Sequence, residues 1–367
     1  MQGNLRRLSR ETWPVDFVSN DYLGLAREGK IQEMAQGILE GISPINGATG
    51  SRLLSGNHPL YLKLEDHLAN WHGSGAALVF NSGFDANLGF FSSVPQRGDL
   101  VLYDELVHAS IRDGIRLGNA KAHRFAHNDL LDLKAQWERH GAGNVDMEVY
   151  VVTESVFSMD GDSPDLLALA RFCGEVGGHL VVDEAHATGI YGAGRDLVTE
   201  LGLESRVFAR TITFGKALGA HGAALLGSRG LVEYLVNFAR PLIFSTALPP
   251  HALAGILAAY RFLGEAGPRL GSRLRERIGF FKGELGALGL SEYFIPSDSA
   301  IQSALIPGNE RAARVAAELQ GQGFGIRPIL SPTVREGSER LRFCLHLHNT
   351  NGEISRILVV LKQLVKS

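Results

Sequence analysis

Short apolar runs alternate with helical patterns along the first two thirds of the chain. The runs are apolar at almost every position and contain many β-branched residues, which is typical of strands that are buried on both faces. They lie at 76–80, 99–103, 148–154, 179–184 and 207–214. Helical patterns lie between them, for example at 128–139 and at 164–177, where we expect Ser163 to cap a helix that starts at Pro164. This order predicts an α/β fold with a mainly parallel central sheet that helices cover.

The pattern changes near residue 251. A long helical stretch at 251–288 leads to short strands near 299–306 and 340–347, and a terminal helix is expected at 351–366. We therefore expect three parts: an N-terminal segment 1–45 that is too short to fold alone, a large domain 46–250, and a smaller α+β C-terminal domain 251–367.

Composition and charge exclude several classes of protein. The chain has 367 residues, of which 45% are hydrophobic and 20% are charged, as in an ordinary globular protein. A net charge of -3 gives no basic surface for nucleic acid, and no apolar run approaches the roughly 20 residues that cross a membrane. The first residues lack the apolar core of a signal peptide. The two cysteines, Cys173 and Cys344, have no metal-ligand pattern around them, so we expect a cytoplasmic protein with neither a disulfide framework nor a metal site.

Lys216 lies in a glycine-flanked turn directly after the apolar stretch TITF. Burial disfavours the charged form of a lysine and lowers its pKa. The neutral amine is a nucleophile that can form a Schiff base with an aldehyde. The alternative is a lysine at a strand end with its ammonium group in solvent, which is the common situation for a single lysine.

Asp183 and His186 follow another buried run, in the stretch VVDEAHATG. The carboxyl ends of parallel strands are where open α/β sheets bind their ligands, so both side chains are candidates for a site. A capping aspartate and a surface histidine remain the alternative interpretation.

The letters Asp-Glu-Ala-His also occur as the acidic box of helicase-like nucleotide hydrolases. That chemistry needs a phosphate loop that ends in Gly-Lys-Ser or Gly-Lys-Thr. The two Gly-Lys pairs of this chain, Gly29-Lys30 and Gly215-Lys216, are followed by Ile31 and Ala217. The helicase interpretation therefore lacks its phosphate loop and is discounted.

Two further strand-to-helix passages carry candidate side chains. In FNSGFDANLGF, a helix is expected to start near Gly83 and Phe84, whose backbone N–H groups could bind a phosphate. In DELVHASIRDG, His108 could stack on a flat ring or simply cap a helix. A carboxylate, a lysine and a phosphate-binding turn at the strand ends are together what pyridoxal 5'-phosphate (PLP) requires.

Several longer segments carry a resemblance to a known family. SNDYLGLA, GATGSRLLSGNHPLYLKLEDHLANW, FNSGFDAN, HASIRDG, FAHND, TESVFSMDGD, VVDEAHATG and TFGKALG occur in this order over nearly the whole chain. Together they resemble the α-oxoamine synthases, PLP-dependent acyltransferases of the aspartate-aminotransferase-like fold, which is fold type I of the PLP-dependent transferases. The resemblance implies PLP as the cofactor.

The resemblance implies a role for each matching cofactor-side residue. Lys216 matches the lysine that forms the Schiff base, Asp183 the partner of the pyridine nitrogen, and His108 the histidine stacked on the ring. His186 and Ser158 match contacts to the ring hydroxyl side, and Glu154 matches a glutamate close to the cofactor. The phosphate contacts are matched by Gly83, Phe84 and Thr213, and by Ser245 or Thr246, which would reach the phosphate of a neighbouring subunit. A homodimer with shared active sites is therefore implied.

The resemblance also implies residues on the substrate side. Asn20 and Arg342 match groups near the substrate carboxylate, and Thr333 matches a substrate contact. Arg6 is a loose match to an arginine that the family places in the acyl pocket. Arg340 shares a strand face with Arg342, and an arginine fork can hold a carboxylate bidentately, so one of the two is expected to be structural. His346 and His348 lack a third ligand for a metal and are also expected to be structural.

Within the family, FAHND, VFSMDGDSPDL and RPILSPTVREGSERLR are most similar to the member that condenses L-alanine with a pimeloyl thioester, carried on coenzyme A or a carrier protein, in biotin biosynthesis. The alternatives are a relative that uses glycine or serine with another thioester, such as glycine C-acetyltransferase, and an aminotransferase of the same fold. A catalytically silent partner subunit would be expected to lack the lysine.

Overall fold

The computed structural model describes Leu8 and residues 12–42, 45–143 and 146–366. In chain order, the strands are β1 (Val15–Asp16), β2 (Ala76–Phe80), β3 (Leu100–Asp104), β4 (Lys121–Phe125), β5 (Val149–Glu154), β6 (His179–Asp183), β7 (Ala209–Thr213), β8 (Ala223–Gly227), β9 (Ile301–Leu305), β10 (Phe324–Gly325), β11 (Arg327–Ile329) and β12 (Arg340–Cys344). The helices are α1 (Gly29–Glu40), α2 (Pro59–Trp71), α3 (Gly83–Ser93), α4 (Ala109–Leu117), α5 (Leu130–His140), α6 (Leu166–Val176), α7 (Leu197–Glu200), α8 (Arg229–Phe238), α9 (Arg240–Ile243), α10 (Pro250–Leu288), α11 (Asn309–Gly321) and α12 (Asn351–Lys366).

The chain forms two compact units. The larger unit consists of Leu25–Phe157 and Ser163–Arg269, and the smaller unit consists of the chain up to Gly24, Ser158–Asp162 and Leu270–Ser367. These bounds differ from the expected ones at residues 45 and 250. The described residues up to Gly24 belong with the C-terminal part of the chain, because β1 pairs with β10 in a parallel ladder. The other bound falls inside α10, after Arg269.

The larger unit is built on a seven-stranded sheet with the order β2-β8-β7-β6-β5-β3-β4. Strands β7, β6, β5, β3 and β4 are parallel, and β8 runs antiparallel to both of its neighbours. The predicted mainly parallel sheet is therefore confirmed. Because β2 has the same direction as β7, the carboxyl ends of β2, β3, β5, β6 and β7 lie at one edge of the sheet.

Both faces of this sheet are covered by apolar side chains. Val151 packs in a cluster that includes Phe172 of α6, whereas Val152, one position further, packs in a cluster that includes Phe90 of α3. This alternation is the pleat of a strand that is buried on both sides, and it explains why the strand runs are apolar throughout. Val181 lies on the α3 side, so Asp183, two residues later, has the same orientation.

Side-chain caps fix where the helices of the larger unit begin. Asp129 caps α5, and its carboxylate accepts hydrogen bonds from the N–H groups of Leu131 and Asp132. The expected start of α6 at Pro164 with Ser163 as cap is wrong. Helix α6 begins at Leu166, and Asp165 caps it by accepting a hydrogen bond from the N–H of Ala168. An aspartate is at least as good a cap as a serine, and the helix begins after Asp165 rather than after Ser163.

The smaller unit contains a three-stranded antiparallel sheet with the order β11-β12-β9 and the β1–β10 pair. Helices α11 and α12 belong to this unit. The strand expected at 340–347 ends earlier, at Cys344. The chain turns there towards α12, and Asn349 Oδ1 accepts a hydrogen bond from the N–H of His346 at 2.9 Å. Among the described residues, no helix combines the length and the apolar character needed to cross a membrane.

Candidate functional site

Lys216 lies on a tightly built loop between β7 and β8. The loop is closed by backbone hydrogen bonds from the N–H of Ala220 to Phe214 O at 2.8 Å and from the N–H of Gly219 to Lys216 O at 2.9 Å. Gly219 has a φ of +63°, and a Cβ there would lie 2.5 Å from Ala26 Cα. Only glycine fits this position, because the backbone is left-handed and another segment passes against it. The glycines of the sequence motif therefore fix the origin of the lysine side chain.

His186 is the immediate partner of the lysine. Lys216 Nζ lies 2.8 Å from His186 Nε2, and the lysine is half-buried rather than extended into solvent. His186 is held in a turn that follows β6, in which the N–H of Ala187 donates to Glu184 O. The structure thus brings together two of the predicted residues across the ends of neighbouring strands.

Asp183 presents its carboxylate on the side of the sheet that α3 covers. Asp183 is 7% exposed. Its Oδ1 accepts a hydrogen bond from the N–H of Ala185 at 2.9 Å, and its Oδ2 accepts one from Asn87 Nδ2 at 2.7 Å. Part of the capping interpretation is correct, since Oδ1 does support the turn. The Asn87 contact adds a partner that sequence reasoning missed.

His108 lies at the start of α4, and its Nδ1 accepts a hydrogen bond from the N–H of Ser110 at 3.2 Å. Burial lowers the pKa of His108, Asp183 opposes that shift, and Lys216 and Arg112 reinforce it. The capping role that sequence reasoning left open is therefore present. This hydrogen bond uses Nδ1 only, so the ring face and Nε2 of His108 are not needed for the cap. The stacking of His108 on a flat cofactor ring stays a prediction.

The beginning of α3 can hold a phosphate. Gly83 is the first residue of the helix, and Ser82 caps it by accepting a hydrogen bond from the N–H of Asp85 at 3.1 Å. The N–H groups of the first turn have no acceptor within the helix and point out of its end, where the helix dipole favours an anion. A Cβ at Gly83 would lie 2.7 Å from Thr213 Cγ2. The residues present therefore fit the phosphate group of PLP, with Thr213 and the backbone of Phe84 beside it.

Gly83→Ala should weaken PLP binding about tenfold, because the new methyl group must displace Thr213 or the first turn of α3. The dissociation constant of PLP, measured by titrating the apoprotein with the cofactor, checks this result. Removing Cγ2 with Thr213→Ser in the same chain should restore most of the binding. Gly230→Ala is the matched control, since Gly230 also lies in the first turn of a helix and a Cβ there meets nothing within 4 Å. Unchanged PLP binding in Gly83→Ala would contradict the proposed phosphate site.

The remaining cofactor-side candidates of the larger unit lie at the same edge of the sheet. Glu154 is 2% exposed and is the register partner of Asp183 on the neighbouring strand β5. Ser245 is half-buried and Thr246 is exposed in the segment after α9. Asn81, which follows β2, donates a hydrogen bond from Nδ2 to Thr246 O at 2.9 Å. This bond holds the Ser245–Thr246 segment near the strand end from which α3 starts.

Arg342 is the centre of a polar cluster in the smaller unit. Its Nε donates to Ser158 O at 2.6 Å, and one terminal nitrogen donates to Asn20 Oδ1 at 3.1 Å and to the hydroxyl of Tyr22 at 3.3 Å. The other terminal nitrogen lies 2.9 Å from Cys344 Sγ. The structure therefore groups Arg342 with Asn20, Ser158, Tyr22 and Cys344, and the roles of Asn20 and Arg342 at a substrate carboxylate stay predictions. All four partners are neutral acceptors, and a substrate carboxylate is a stronger one.

Arg340 and His346 have structural partners in the same unit. Arg340 pairs with Asp160, and both residues are buried. His346 is fully buried, and its Nδ1 contacts Asp16 O at 3.1 Å. His348 stacks on it with the ring centroids 4.5 Å apart. These contacts agree with the prediction that one of the two strand arginines is structural.

The roles of the two remaining substrate-side residues, Thr333 and Arg6, stay predictions. Thr333 lies in an exposed turn after β11, where its N–H donates to Leu330 O. Arg6 lies outside the described residues. Of the residues that sequence reasoning missed, Asn87 carried a usable signal. It is an amide four positions after Gly83 within an apolar helix, on the helix face that Gly83 presents.

Comparison with known proteins agrees with this geometry. The family model described as aminotransferase class I and II matches residues 14–360. The 8-amino-7-oxononanoate synthase of Emericella nidulans is 39% identical over 360 residues, which cover 94% of this chain and 87% of that protein.

Two solved structures show the same similarity in three dimensions. A serine palmitoyltransferase variant from S. paucimobilis with bound PLP-myriocin aldimine has a TM-score of 0.87 at 28% identity, with 96% of this chain and 87% of that chain covered. The 8-amino-7-oxononanoate synthase of Francisella tularensis has a TM-score of 0.80 at 28% identity, with 96% and 98% covered. These similarities confirm the predicted fold, a PLP-dependent transferase of fold type I, and the predicted cofactor.

Proposed function

Because this chain belongs to the class I and II aminotransferase family and is a PLP-dependent enzyme, we propose that it is an acyltransferase that makes 8-amino-7-oxononanoate. The substrates are L-alanine and a pimeloyl thioester. The new carbon–carbon bond joins Cα of alanine to the acyl carbonyl carbon. The alanine carboxyl group leaves as carbon dioxide, and the carrier leaves as a free thiol. The proposed place of this reaction is biotin biosynthesis.

The observation that carries the substrate assignment is the 39% identity, over 94% of this chain, to a protein named 8-amino-7-oxononanoate synthase. A second protein of that name, from Geotalea daltonii, is 39% identical over 340 residues and 92% of this chain. The motifs around His127, Ser158 and Arg342 resemble the same branch of the family. The site geometry supports the cofactor part of the proposal, and the names support the choice of substrates.

PLP supplies an aldehyde that amines can hold and an aromatic ring that takes up electrons when a bond to Cα breaks. Lys216 is placed to hold the aldehyde and, once released, to remove the Cα proton as a general base. The carboxylate of Asp183 is placed to keep the pyridine nitrogen protonated. His186, 2.8 Å from Lys216, orients the amine and donates towards the ring hydroxyl.

Other residues of the larger unit hold and shield the reacting groups. The N–H groups of Gly83 and Phe84 and the hydroxyl of Thr213 bind the phosphate. His108 would stack on the ring and would donate from Nε2 to the thioester carbonyl, which would raise the reactivity of that carbon. Glu154 completes the buried wall beside Asp183.

In the smaller unit, Arg342 and Asn20 bind the carboxylate of alanine. Their present contact, 3.1 Å between the guanidinium and Asn20 Oδ1, keeps the arginine in one orientation before a substrate arrives. Binding the carboxylate in a fixed direction would limit the orientations that the amino acid can adopt, and so would favour the breaking of one bond to Cα over the others. In this proposal Thr333 contacts the substrate, Ser158 contacts the ring hydroxyl side of PLP, and Arg6 contributes to the acyl pocket.

A homodimer is part of the proposal. Ser245 or Thr246 of one subunit would bind the phosphate held by its neighbour. Large apolar side chains are exposed beside this segment: Leu54 is 84% exposed and Phe244 is 70% exposed. The segments that carry them are joined by the hydrogen bond from the N–H of Ala247 to Gly50 O at 3.1 Å. A second copy of the chain would cover this apolar surface.

The test is a matrix of amino acids and acyl thioesters, with release of free thiol as the readout. We expect alanine with pimeloyl-CoA, or with a pimeloyl carrier protein, to exceed every other pair in kcat/KM by at least about tenfold, since one missing or added methylene costs roughly 1–3 kcal/mol in a fitted pocket. Preference for glycine with acetyl-CoA would overturn the biotin assignment in favour of glycine C-acetyltransferase. Amino-group transfer without thiol release would indicate an aminotransferase.

The pair of serine and palmitoyl-CoA belongs in this matrix for a structural reason. The serine palmitoyltransferase has the higher TM-score of the two solved structures, 0.87 against 0.80. The sequence identities of the two are equal at 28%, so shape alone does not select the substrate. The catalytic residues named above would serve any of these reactions.

A further inference from the structure

One buried amide links several residues of the larger unit. Asn87 lies on α3 and is 2% exposed. Its Nδ2 donates to Asp183 Oδ2 at 2.7 Å and to Ser110 Oγ at 3.0 Å, and its Oδ1 accepts from the hydroxyl of Thr211 at 2.8 Å. Both amide hydrogens and the amide oxygen are thus used.

These partners fix which way the amide points. A carboxylate can only accept a hydrogen bond, so the nitrogen of Asn87, and not its oxygen, must face Asp183. The hydroxyl of Thr211 holds the oxygen on the opposite side. Thr211 is the register partner of Asp183 on β7, so both side chains emerge on the α3 side of the sheet. Rotating the amide by half a turn would place two oxygens against each other at 2.7 Å.

Ser110 extends the same chain of hydrogen bonds to His108. The N–H of Ser110 lies 3.2 Å from His108 Nδ1 and can only donate, so Nδ1 of the histidine carries no proton. Ser110 Oγ accepts from Asn87 and lies 2.8 Å from the same Nδ1, to which its hydroxyl donates. The neutral ring of His108 therefore carries its proton on Nε2.

We propose that Asn87 is a positioning residue that orients both the Asp183 carboxylate and, through Ser110, the His108 imidazole. This inference rests on the proposed function, which gives those two side chains their roles towards PLP. The hydrogen bond from Asn87 Nδ2 to Asp183 Oδ2 fixes the orientation of the carboxylate, which can still accept a further hydrogen bond. Through Ser110 Oγ, Asn87 reinforces the form of His108 that donates from Nε2, which the N–H of Ser110 also favours. One amide thereby supports the donor and acceptor pattern of a residue at the end of β6 and of a residue at the start of α4.

Variants at Asn87 and Thr211 test the first half of this proposal through cofactor binding alone. Asn87→Leu keeps the volume and removes both donors, and we expect PLP binding to weaken about tenfold or more, since a buried carboxylate loses a charge-assisted hydrogen bond. Thr211→Val removes the hydroxyl that orients the amide, and like Asn87→Leu it should weaken PLP binding. Thr211→Ser keeps that hydroxyl and should stay within about twofold of the parent protein.

The pair at Thr211 separates positioning from loss of packing. Valine matches threonine in size and serine does not, so a purely structural role for Thr211 would make serine the worse replacement. The opposite order is expected here. Equal PLP binding by Thr211→Val and the parent would overturn the proposal. If Asn87→Leu does not fold, as judged by thermal unfolding of the apoprotein, the Thr211 pair still decides the question.

Histidine NMR tests the second half. In protein labelled with 15N-histidine, with the His108 signals identified by their loss in His108→Gln, we expect the neutral ring with its proton on Nε2. In Asn87→Leu the Nδ1 signal should shift, because Ser110 Oγ loses the donor that polarises it. A proton on Nδ1, or a His108 spectrum unchanged by Asn87→Leu, would overturn the link through Ser110.

Both tests separate this proposal from the proposed function. Neither uses an acyl thioester, so a wrong choice of acyl donor leaves their results unchanged. Failure of the parent protein to bind PLP at all would instead overturn the proposed function itself.

Discussion

Lys216→Ala is expected to abolish covalent attachment of the cofactor and to lower kcat by at least about 10³-fold. In the proposed function, the amine at this position holds the PLP aldehyde and then moves the Cα proton, and general base catalysis alone is worth about 10²–10⁴-fold. Its loop is closed by backbone hydrogen bonds and abuts Ala26, so the backbone from which this side chain starts is held in one conformation. Borohydride reduction followed by mass spectrometry of the protein measures the attachment.

The control for this result is Lys63→Ala, which removes an exposed lysine from α2. That variant should retain both the reducible cofactor bond and the activity. A Lys216→Ala protein that still becomes labelled on reduction would show that a different lysine carries PLP. Loss of labelling with unchanged kcat would leave the cofactor site correct and the general-base role wrong.

Arg342→Ala is expected to raise the KM for the amino acid about 100-fold with a smaller change in the KM for the acyl thioester. Truncating the charged partner of a buried, hydrogen-bonded carboxylate typically costs about 2–5 kcal/mol. The guanidinium is held ready for that role by Ser158 O at 2.6 Å and Asn20 Oδ1 at 3.1 Å. Steady-state kinetics with one substrate varied at a time measure the two constants separately.

Arg340→Ala provides the matched comparison on the same strand. Arg340 pairs with the buried Asp160, so its removal takes a charge-assisted hydrogen bond from a buried carboxylate and should cost about 1.5–3 kcal/mol of stability. We expect a lower Tm and a nearly unchanged KM for the amino acid. If the two arginines exchanged these phenotypes, the assignment of Arg342 to the substrate would be wrong.

The sequence was informative where a single physical pattern dominates. The strands β2, β3, β5, β6 and β7 are buried on both faces, and their uninterrupted apolar runs predicted them to within two residues at each end. The edge strand β4, with the sequence KAHRF, is partly exposed and has no such run. The sequence of strand β8 merges with the glycine-rich loop of Lys216, which hides where the strand begins. Neither strand was predicted.

Some features of the candidate site could be predicted from the sequence and others could not. Lys216, Asp183 and His186 follow strand ends and belong to recognisable motifs, so their positions at one edge of the sheet could be predicted. The contact between Asn87 and Asp183 could not, because it depends on the rotation of α3 about its axis relative to the sheet. Periodicity specifies which face of a helix is apolar, but it does not specify which single polar group on that face will meet a carboxylate.

The close approach of Ala26 to Gly219 has a consequence for how the enzyme turns over. The backbone that follows the lysine lies directly against the segment at Leu25 and Ala26, so the loop cannot move towards that segment. The side chain of Lys216 would therefore have to approach and leave the cofactor aldehyde by rotations about its own methylene groups. We expect no rearrangement of this loop when a substrate amine takes the place of the lysine.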